Sequence, residues 1–349
     1  MGKVSEYAFL HARVSLFAAR LLPGESLREL LEQPGVAHGD YFVRTGIPAL
    51  VEAPPDDAHE LEQQLATVLL GETFALARVL SSPARHLLLH WMHRFDMVNL
   101  KMLIRCKLSG CGVDEIRRRL LILDPVPGLP LDSLMHTESI EELLREMEAG
   151  PCAELAKQLR RSLGGGEGAE VFLVEAAVDY FFFKVLNRKV AALSETERRD
   201  LRPFIGRIID QANLVWLMRY RLAYGMTPPQ AYFMLVSRGL QLDRGHLAAL
   251  ARLEGLRDMI EALPPNLALF LRDADTISGV EDRFNAYLLE EAQRTLKYTR
   301  FNLARAIAYL LLRERQLLNI HQVLKGRLLG LPDTLIRRAI GLSDEREAA

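Results

Sequence analysis

The sequence has few cysteines, no long apolar run and no excess of charge of one sign. Its three cysteines, Cys106, Cys111 and Cys152, match no zinc-binding spacing, which predicts free thiols in a reducing cytoplasm. No stretch approaches the ~18 uncharged apolar residues that a membrane-spanning helix needs. The 44 basic and 45 acidic side chains give a net charge of −1. This balance lacks the basic excess of a general nucleic-acid-binding protein, so no nucleic-acid partner is predicted.

Strand-forming patterns are also scarce, whereas helix-forming patterns run along nearly the whole chain. No alternating run of β-branched residues reaches a useful length. Leu, Ala, Arg and Glu dominate the sequence, and all four favour helices. The 3.6-residue apolar period predicts long helices over residues 58–79, 171–193 and 280–298. We therefore expect an all-α fold.

One helical segment occurs three times, and the rest of the sequence is arranged around its copies. They centre on Asn99, Asn213 and Asn319, each followed by Leu or Ile. Basic residues stand six and eight positions after each Asn: Arg105 and Lys107, Arg219 and Arg221, and Lys325 and Arg327. A glycine then ends each copy: Gly110, Gly225 and Gly330. This spacing predicts three pseudo-repeated helical subdomains, at residues 1–124, 125–242 and 243–349.

A second marker has the same period. Each predicted long helix carries a glutamate near its start, namely Glu62, Glu175 or Glu281. Each glutamate precedes the Asn of its copy by 37 or 38 residues. Two markers that keep one register in three places support a true internal repeat.

The repeated asparagine needs a physical reason, because Asn is a poor helix former. Apolar residues share the helix face of Asn99 and of Asn213, so both amides are predicted to be buried. A buried amide without partners costs about 1–3 kcal/mol per unsatisfied group, so backbone groups of an adjacent helix are the expected partners. A ligand-binding role is the alternative. The neighbours of Asn319 are more polar, which predicts a wetter or looser third site.

The position three residues before each Asn differs between the copies. It is acidic in the first two, as Asp96 and Asp210, and is Gln316 in the third. The two aspartates are expected to pair with basic residues of another helix, because they lie near the face of the Asn. The loss of the acid at Gln316 predicts that the third copy is the least rigid.

The paired basic residues allow two interpretations. Cations in the last turns of a helix offset its macrodipole, a contribution of about 0.3–1 kcal/mol each. Alternatively, the three helix ends converge and present a basic surface to a partner. On the second interpretation Arg105, Lys107, Arg219, Arg221, Lys325 and Arg327 are partner-binding residues.

Three sequence features resemble catalytic or ligand-binding motifs, but each has a simpler explanation. The run from Asp56 to Glu60 follows two prolines and is typical of an N-cap and an acidic first turn. The loop from Gly164 to Gly168 lacks the Lys and Ser or Thr of a phosphate-binding loop. His86, His90 and His93 share a helix with packed leucines and have no adjacent Glu. We therefore expect no catalytic residue, metal, cofactor or small-molecule substrate.

Several of these features together resemble a known family. They are the N-terminal stretch from Tyr7 to Val14, the Asp-x-x-Asn-Leu helices at Asp96 and Asp210, and the Gly-x-x-Glu-Ile stretch from Gly112 to Ile116. With three helical units of similar length, the whole chain resembles the C subunit of bacterial and archaeal V-type (A-type) ATPases. The related protein in eukaryotic vacuolar ATPases is their d subunit.

The resemblance implies a non-catalytic central-stalk linker of a rotary ATPase, with its three units arranged as a funnel of pseudo-threefold symmetry. Such a protein caps the membrane rotor ring and receives the central shaft, so that torque passes between ATP hydrolysis and ion transport. Its implied location is cytoplasmic and peripheral to the membrane through the ring, and its partners are the shaft subunits and the ring. A free-standing all-helical scaffold is the alternative.

Overall fold

A computed structural model describes residues 3–24, 26–32, 38–52, 55–123, 128–150, 152–163 and 171–342. These residues form helices joined by turns, and none of them lies in a strand. The predicted all-α fold is therefore confirmed. None of the helices in these ranges combines the length and the apolar character needed to cross a bilayer.

After an N-terminal helix, α1 (Lys3–Ala18), the described helices fall into three groups with the same order of short and long helices. Each group has three short helices, two long helices and a short closing helix. The first contains α2 (Ser26–Glu32), α3 (His38–Arg44), α4 (Ala49–Glu52), α5 (Ala58–Ala77), α6 (Ala84–Leu108) and α7 (Val113–Arg117). The second contains α8 (Leu131–His136), α9 (Ile140–Glu148), α10 (Ala153–Leu163), α11 (Val171–Ala191), α12 (Glu195–Met218) and α13 (Pro228–Phe233). The third contains α14 (Arg244–Leu250), α15 (Leu256–Glu261), α16 (Pro265–Leu271), α17 (Ile277–Tyr298), α18 (Leu303–Leu328) and α19 (Asp333–Ala339).

The three repeated glycines end the second long helix of each group. Gly110, Gly225 and Gly330 have φ angles of +70°, +64° and +65°, a left-handed conformation that glycine adopts without a steric penalty. Helix α12 continues through a π turn at Arg219–Ala223 before its glycine. A π turn accommodates one extra residue, which explains why Gly225 follows its Asn by one residue more than the other two glycines do.

The six long helices contact one another in a closed order. Helix α5 packs on α6, α6 on α11, α11 on α12, α12 on α17, α17 on α18, and α18 again on α5. Three of these contacts join helices of different groups: the α6–α11, α12–α17 and α18–α5 interfaces. The funnel shape and the subdomain boundaries stay predictions, and the first boundary falls at residues 124–127, outside the described residues.

Candidate functional site

The first two repeated asparagines hold the chain segment that follows each closing short helix. Asn99 Nδ2 donates to the carbonyl of Leu121 at 2.7 Å, and the Leu121 N–H donates to Asn99 Oδ1 at 2.9 Å. Asn213 makes the same two bonds with Val236, both at 2.8 Å. Both asparagines are buried. Each amide therefore satisfies both main-chain polar groups of one residue, which lies in a connecting segment rather than in an adjacent helix.

The two aspartates also bind a connecting segment, so the expectation that they pair with basic residues of another helix was wrong. Asp96 Oδ1 accepts the N–H of Leu129 at 3.3 Å, and Asp96 Oδ2 lies 2.6 Å from Nδ1 of His93 on its own helix. Asp210 accepts three main-chain N–H groups at 2.8–3.1 Å, from Leu240, Gln241 and Leu242. In both cases the carboxylate accepts hydrogen bonds from main-chain N–H groups of a loop, which have no partner in regular secondary structure.

Asp210 lies at a close approach between helix and loop. A Cβ added to Gly239 would lie 2.1 Å from Asp210 Oδ1, so only glycine fits at that position. Burial raises the pKa of Asp210, and the three N–H donors act in the opposite direction. This carboxylate is therefore a structural element of the loop and not an exposed charge.

In the third copy the same positions have different partners. Gln316 Nε2 donates to the carbonyl of Arg20 at 3.0 Å, in the segment between α1 and α2. An amide suits this position, because the main-chain group that it meets is an acceptor. Asn319 is half-buried and lines a cavity of about 500 Å³, where its amide bonds to none of the described residues.

The basic residue eight positions after each Asn binds the next group along the closed order of long helices. Lys107, Arg221 and Arg327 each donate to main-chain carbonyls in the last turn of a short helix or just after it. The acceptors are Met135 and Thr137 for Lys107, Ala251 for Arg221, and Leu31 for Arg327. The last of these bonds joins the third group to the first.

The basic residue six positions after each Asn pairs with a marker glutamate in two of the three copies. Arg105 lies 2.5 Å from Glu175, and Arg219 lies 2.5 Å from Glu281. Lys325 is exposed and makes no ion pair with the described residues. Five of the six predicted partner-binding side chains thus bind other groups of this chain, and their role at a partner surface stays a prediction.

A buried ionic cluster at the α18–α5 interface escaped sequence analysis. Arg313 is fully buried and contacts both carboxylate oxygens of Glu72, at 3.0 and 3.1 Å. Tyr309 donates its hydroxyl to Glu72 at 2.5 Å, and Arg20 adds a third donor group at 3.0 Å. Burial, followed by the adjacent carboxylate, raises the pKa of Tyr309 well above its usual range. The cluster links α5, α18 and the segment between α1 and α2.

The α12–α17 interface holds a more exposed version of this cluster. Arg207 lies 3.2 Å from Glu291 and 3.3 Å from the hydroxyl of Tyr287. Arg207 and Arg313 both stand six residues before their Asn, and Glu291 and Glu72 both stand ten after their marker glutamate. This repeated spacing was the available sequence signal. The middle group has Val185 at the glutamate position, so the α6–α11 interface lacks the pair.

His90 lies in the α6–α11 interface instead. Its Nε2 lies 3.1 Å from the carbonyl of Phe182, and the two rings stack with centroids 4.8 Å apart. The pKa of His90 is lowered to about 4, mainly by burial, with smaller contributions from the nearby His93, Lys189 and Arg188 and an opposing one from the bond to the Phe182 carbonyl. A neutral imidazole that donates to a carbonyl therefore occupies this interface.

Comparison with known proteins identifies the family of this chain. The family model of the ATP synthase (C/AC39) subunit matches residues 10–339. The chain belongs to this family. The C subunit of the A-type ATP synthase of Methanocaldococcus jannaschii is 23% identical to it, over 96% of this chain and 86% of the relative. Those of Methanosarcina mazei and Thermococcus kodakarensis are each 22% identical, over 95% and 98% of this chain and 92% of each relative. The predicted resemblance is confirmed.

The sequence features that resembled catalytic motifs have structural roles where they are described. Asp57 caps α5 by accepting the N–H groups of His59 and Glu60, both at 2.8 Å. His86 lies 3.0 Å from the hydroxyl of Ser82. Within the described part of the chain, no three His, Cys, Asp or Glu side chains could together hold a metal ion. The loop from Gly164 to Gly168 lies outside the described residues.

Proposed function

We propose that this chain is the non-catalytic central-stalk linker of a rotary A/V-type ATPase, a funnel of three pseudo-repeated helical units. It caps the membrane rotor ring and receives the central shaft, so that torque passes between ATP hydrolysis and ion transport. On this proposal it lies on the cytoplasmic side and meets the membrane only through the ring. Its family membership supports the rotary complex, and its internal contacts support the coupling role.

The closed order of long helices is the observation that carries the coupling role. Torque transmission requires that the units do not slide past one another under load. Hydrogen bonds or ion pairs cross each of the three interfaces between groups: Arg105 to Glu175, Arg219 to Glu281, and Arg313 to Glu72. Packed interfaces resist continuous deformation, so a load applied at one group passes to the other two.

We further propose that the three glycine-ended helix tips form the partner surface. Exposed apolar side chains stand beside the basic residues there: Leu108, Tyr224 and Leu328 are each between 47% and 48% exposed. Such side chains, rimmed by charge, are typical of an interaction surface. Lys325, which makes no ion pair with the described residues, is the basic residue that remains available for a partner's carboxylate.

The test is binding of the purified chain to the isolated shaft subunits and, separately, to the detergent-solubilised rotor ring. We expect both to bind. The Lys325→Gln variant should bind one of them more weakly and should keep the thermal stability of the unchanged protein. Binding to neither component would overturn the proposal and favour a free-standing scaffold.

A further inference from the structure

A concave pocket of about 360 Å³ lies in the middle group, between α11, the first turns of α12 and the segment that follows α13. Three arginines line it, Arg198 and Arg202 from α12 and Arg238 from the segment. The buried side chains of Val190 and Ile205 form apolar parts of its wall. None of the described lining residues is acidic, so the pocket concentrates positive charge.

The charges of these arginines are not neutralised by the described part of the chain. Arg198 donates one N–H to the carbonyl of Ala191 at 3.2 Å, and none of the three arginines forms an ion pair with a described residue. Arg198 and Arg202 are four residues apart on one face of α12, where like charges repel and destabilise the helix. An anion bound between them would remove this repulsion.

The other copies of the repeat show that the fold does not require arginine at these positions. Buried apolar residues stand there at the positions of Arg198 and Arg202: Ala84 and Leu88 in the first copy, and Ala304 and Ala308 in the third. Arg238 lies two residues after the residue that Asn213 holds, and the buried Leu123 occupies the corresponding position in the first copy. The basic pocket is therefore a property of the middle group and not of the repeat.

The main chain at Arg238 is strained and firmly held. Its φ angle is +75°, a left-handed value that is uncommon for residues other than glycine. Hydrogen bonds fix the chain on both sides: the carbonyl of Ser237 accepts from Asn187 Nδ2 at 3.0 Å, and the N–H of Leu240 donates to Asp210 at 3.1 Å. Backbone strain of this kind clusters at ligand sites, where the surrounding structure imposes it. The segment that carries the third arginine is thus preorganised.

The chemistry of the guanidinium group indicates the class of ligand. Each arginine offers five N–H donors in a planar fork, which matches the oxygens of a phosphate group in a bidentate geometry. Three arginines without an acidic neighbour in the pocket favour an anion of more than one negative charge. The volume lies near the lower end of the range for small-molecule sites, about 300–1,000 Å³. The pocket therefore suits a compact phosphate group.

We propose that this pocket binds a phosphate-bearing anion, whose oxygens accept hydrogen bonds from Arg198, Arg202 and Arg238. A free phosphate compound and a phospholipid headgroup share this chemistry. The bound anion bridges α12 and the segment after α13, and it thereby stabilises the middle group. The inference does not depend on the proposed function, since it concerns a site within one chain.

Calorimetric titration of the full chain with pyrophosphate tests the site. We expect saturable binding in about 0.15 M salt, which screens non-specific attraction between exposed charges. Arg202→Gln should weaken it by at least about tenfold, because a hydrogen bond between charged groups is lost. Arg199→Gln is the matched control, since Arg199 is 76% exposed, lies 3.8 Å from Asp200 and does not line the pocket. Equal losses in the two variants would overturn the proposal.

A second variant separates binding from folding. Arg238→Gly removes the third guanidinium and leaves a residue that adopts the left-handed conformation without a steric penalty. We expect pyrophosphate binding to weaken as in Arg202→Gln, while the thermal midpoint of the unbound protein is not lowered. Binding as tight as that of the unchanged chain would contradict the role of Arg238.

Vesicles distinguish the two sources of phosphate. Cosedimentation is measured with phosphatidylcholine vesicles, with and without phosphatidic acid. Binding of pyrophosphate that requires Arg202 supports a free phosphate ligand, whereas binding only to the vesicles with phosphatidic acid, with the same requirement, supports a headgroup. Binding to neither probe would overturn the proposal. So would binding of polyglutamate alone, since an acidic protein segment would then be the ligand.

Discussion

Helices α6 and α18 are copies of one segment, yet their polar contacts lie in different places. In α6 the amide of Asn99 holds the main chain of Leu121, while the face toward α11 carries a neutral histidine. In α18 the amide faces a cavity, while the face toward α5 carries the buried pair of Arg313 and Glu72.

The difference shows which properties a repeated segment retains. Both helices end at a left-handed glycine, which depends on local backbone geometry. Both also keep the basic residue that binds a short helix of the next group, because each has such a helix beside its C-terminal end. The other polar contacts follow the partner helix. The prediction that the third copy is the least rigid considered Gln316 alone and left out Arg313, which contacts a different helix.

Removal of Glu72 should have the largest effect, because it leaves Arg313 buried without a counter-charge. We expect Glu72→Ala to lower the free energy of unfolding by about 3–5 kcal/mol, as measured by chemical denaturation. Glu291→Ala is the matched control, since Glu291 also binds an arginine and its side chain is 18% exposed rather than 6%. Equal losses in the two variants would show that the burial of the α18–α5 pair is unimportant.

The second-largest effects should come from the repeated asparagines, and their size should differ between the copies. Asn99→Ala and Asn213→Ala each leave one N–H and one C=O without partners in a buried position. We expect each to cost about 2–4 kcal/mol of unfolding free energy. Asn319→Ala should cost less than about 1 kcal/mol, because its site is half-buried. A loss at Asn319 as large as at Asn99 would remove the distinction between α6 and α18.

The α6–α11 interface should respond to pH through His90. Its pKa is about 4 in the folded protein and about 6.5 when exposed, so the unfolded chain binds more protons between these values. Stability should therefore fall as the pH drops from about 6.5 to 4, by up to about 3 kcal/mol from this residue. Thermal melts of the unchanged protein and of His90→Gln across this range measure the effect. The stability of the variant should change less steeply with pH. An unchanged slope would show that His90 does not cause the pH dependence.

The exposed ion pair of the same interface should matter least. Arg105 is half-exposed beside Glu175, and such pairs contribute at most about 1 kcal/mol. Arg105→Gln should lower the unfolding free energy by less than this, and the loss should shrink in 1 M salt because salt screens exposed charges. A large, salt-independent loss would show that the ion pair of Arg105 behaves like the buried pair of Arg313.

Local features of the fold were predictable from sequence. The predicted helices at 58–79, 171–193 and 280–298 agree within three residues with α5, α11 and α17. The glycine ends were also correct, since the left-handed conformation is a property of the residue itself. The π turn in α12 could have been inferred, because one extra residue separates Asn213 from Gly225.

Contacts between distant parts of the chain were harder to predict. The burial of Asn99 and Asn213 follows from helix periodicity, but the partner of a buried amide depends on which segment returns to it. Asp96 and Asp210 were expected to form ion pairs, whereas their partners are loop N–H groups. Loops have no periodic sequence pattern that would show which of their N–H groups lie beside a helix. The repeated spacing marks Glu72 and Arg313 as positions equivalent to Glu291 and Arg207, but pairing them also requires knowledge that α18 packs on α5.

The closure of α18 on α5 also sets an order of events during synthesis. Arg313 and Glu72 are 241 residues apart, so their bond cannot form until most of the chain has left the ribosome. At about 5–20 residues per second, α5 waits roughly 10–50 s for its partner helix. During that interval the face of α5 that later carries the buried ion pair is exposed to solvent and to chaperones. Long-range closure of this kind also slows folding, so the last long helix to be made is the one that completes the body.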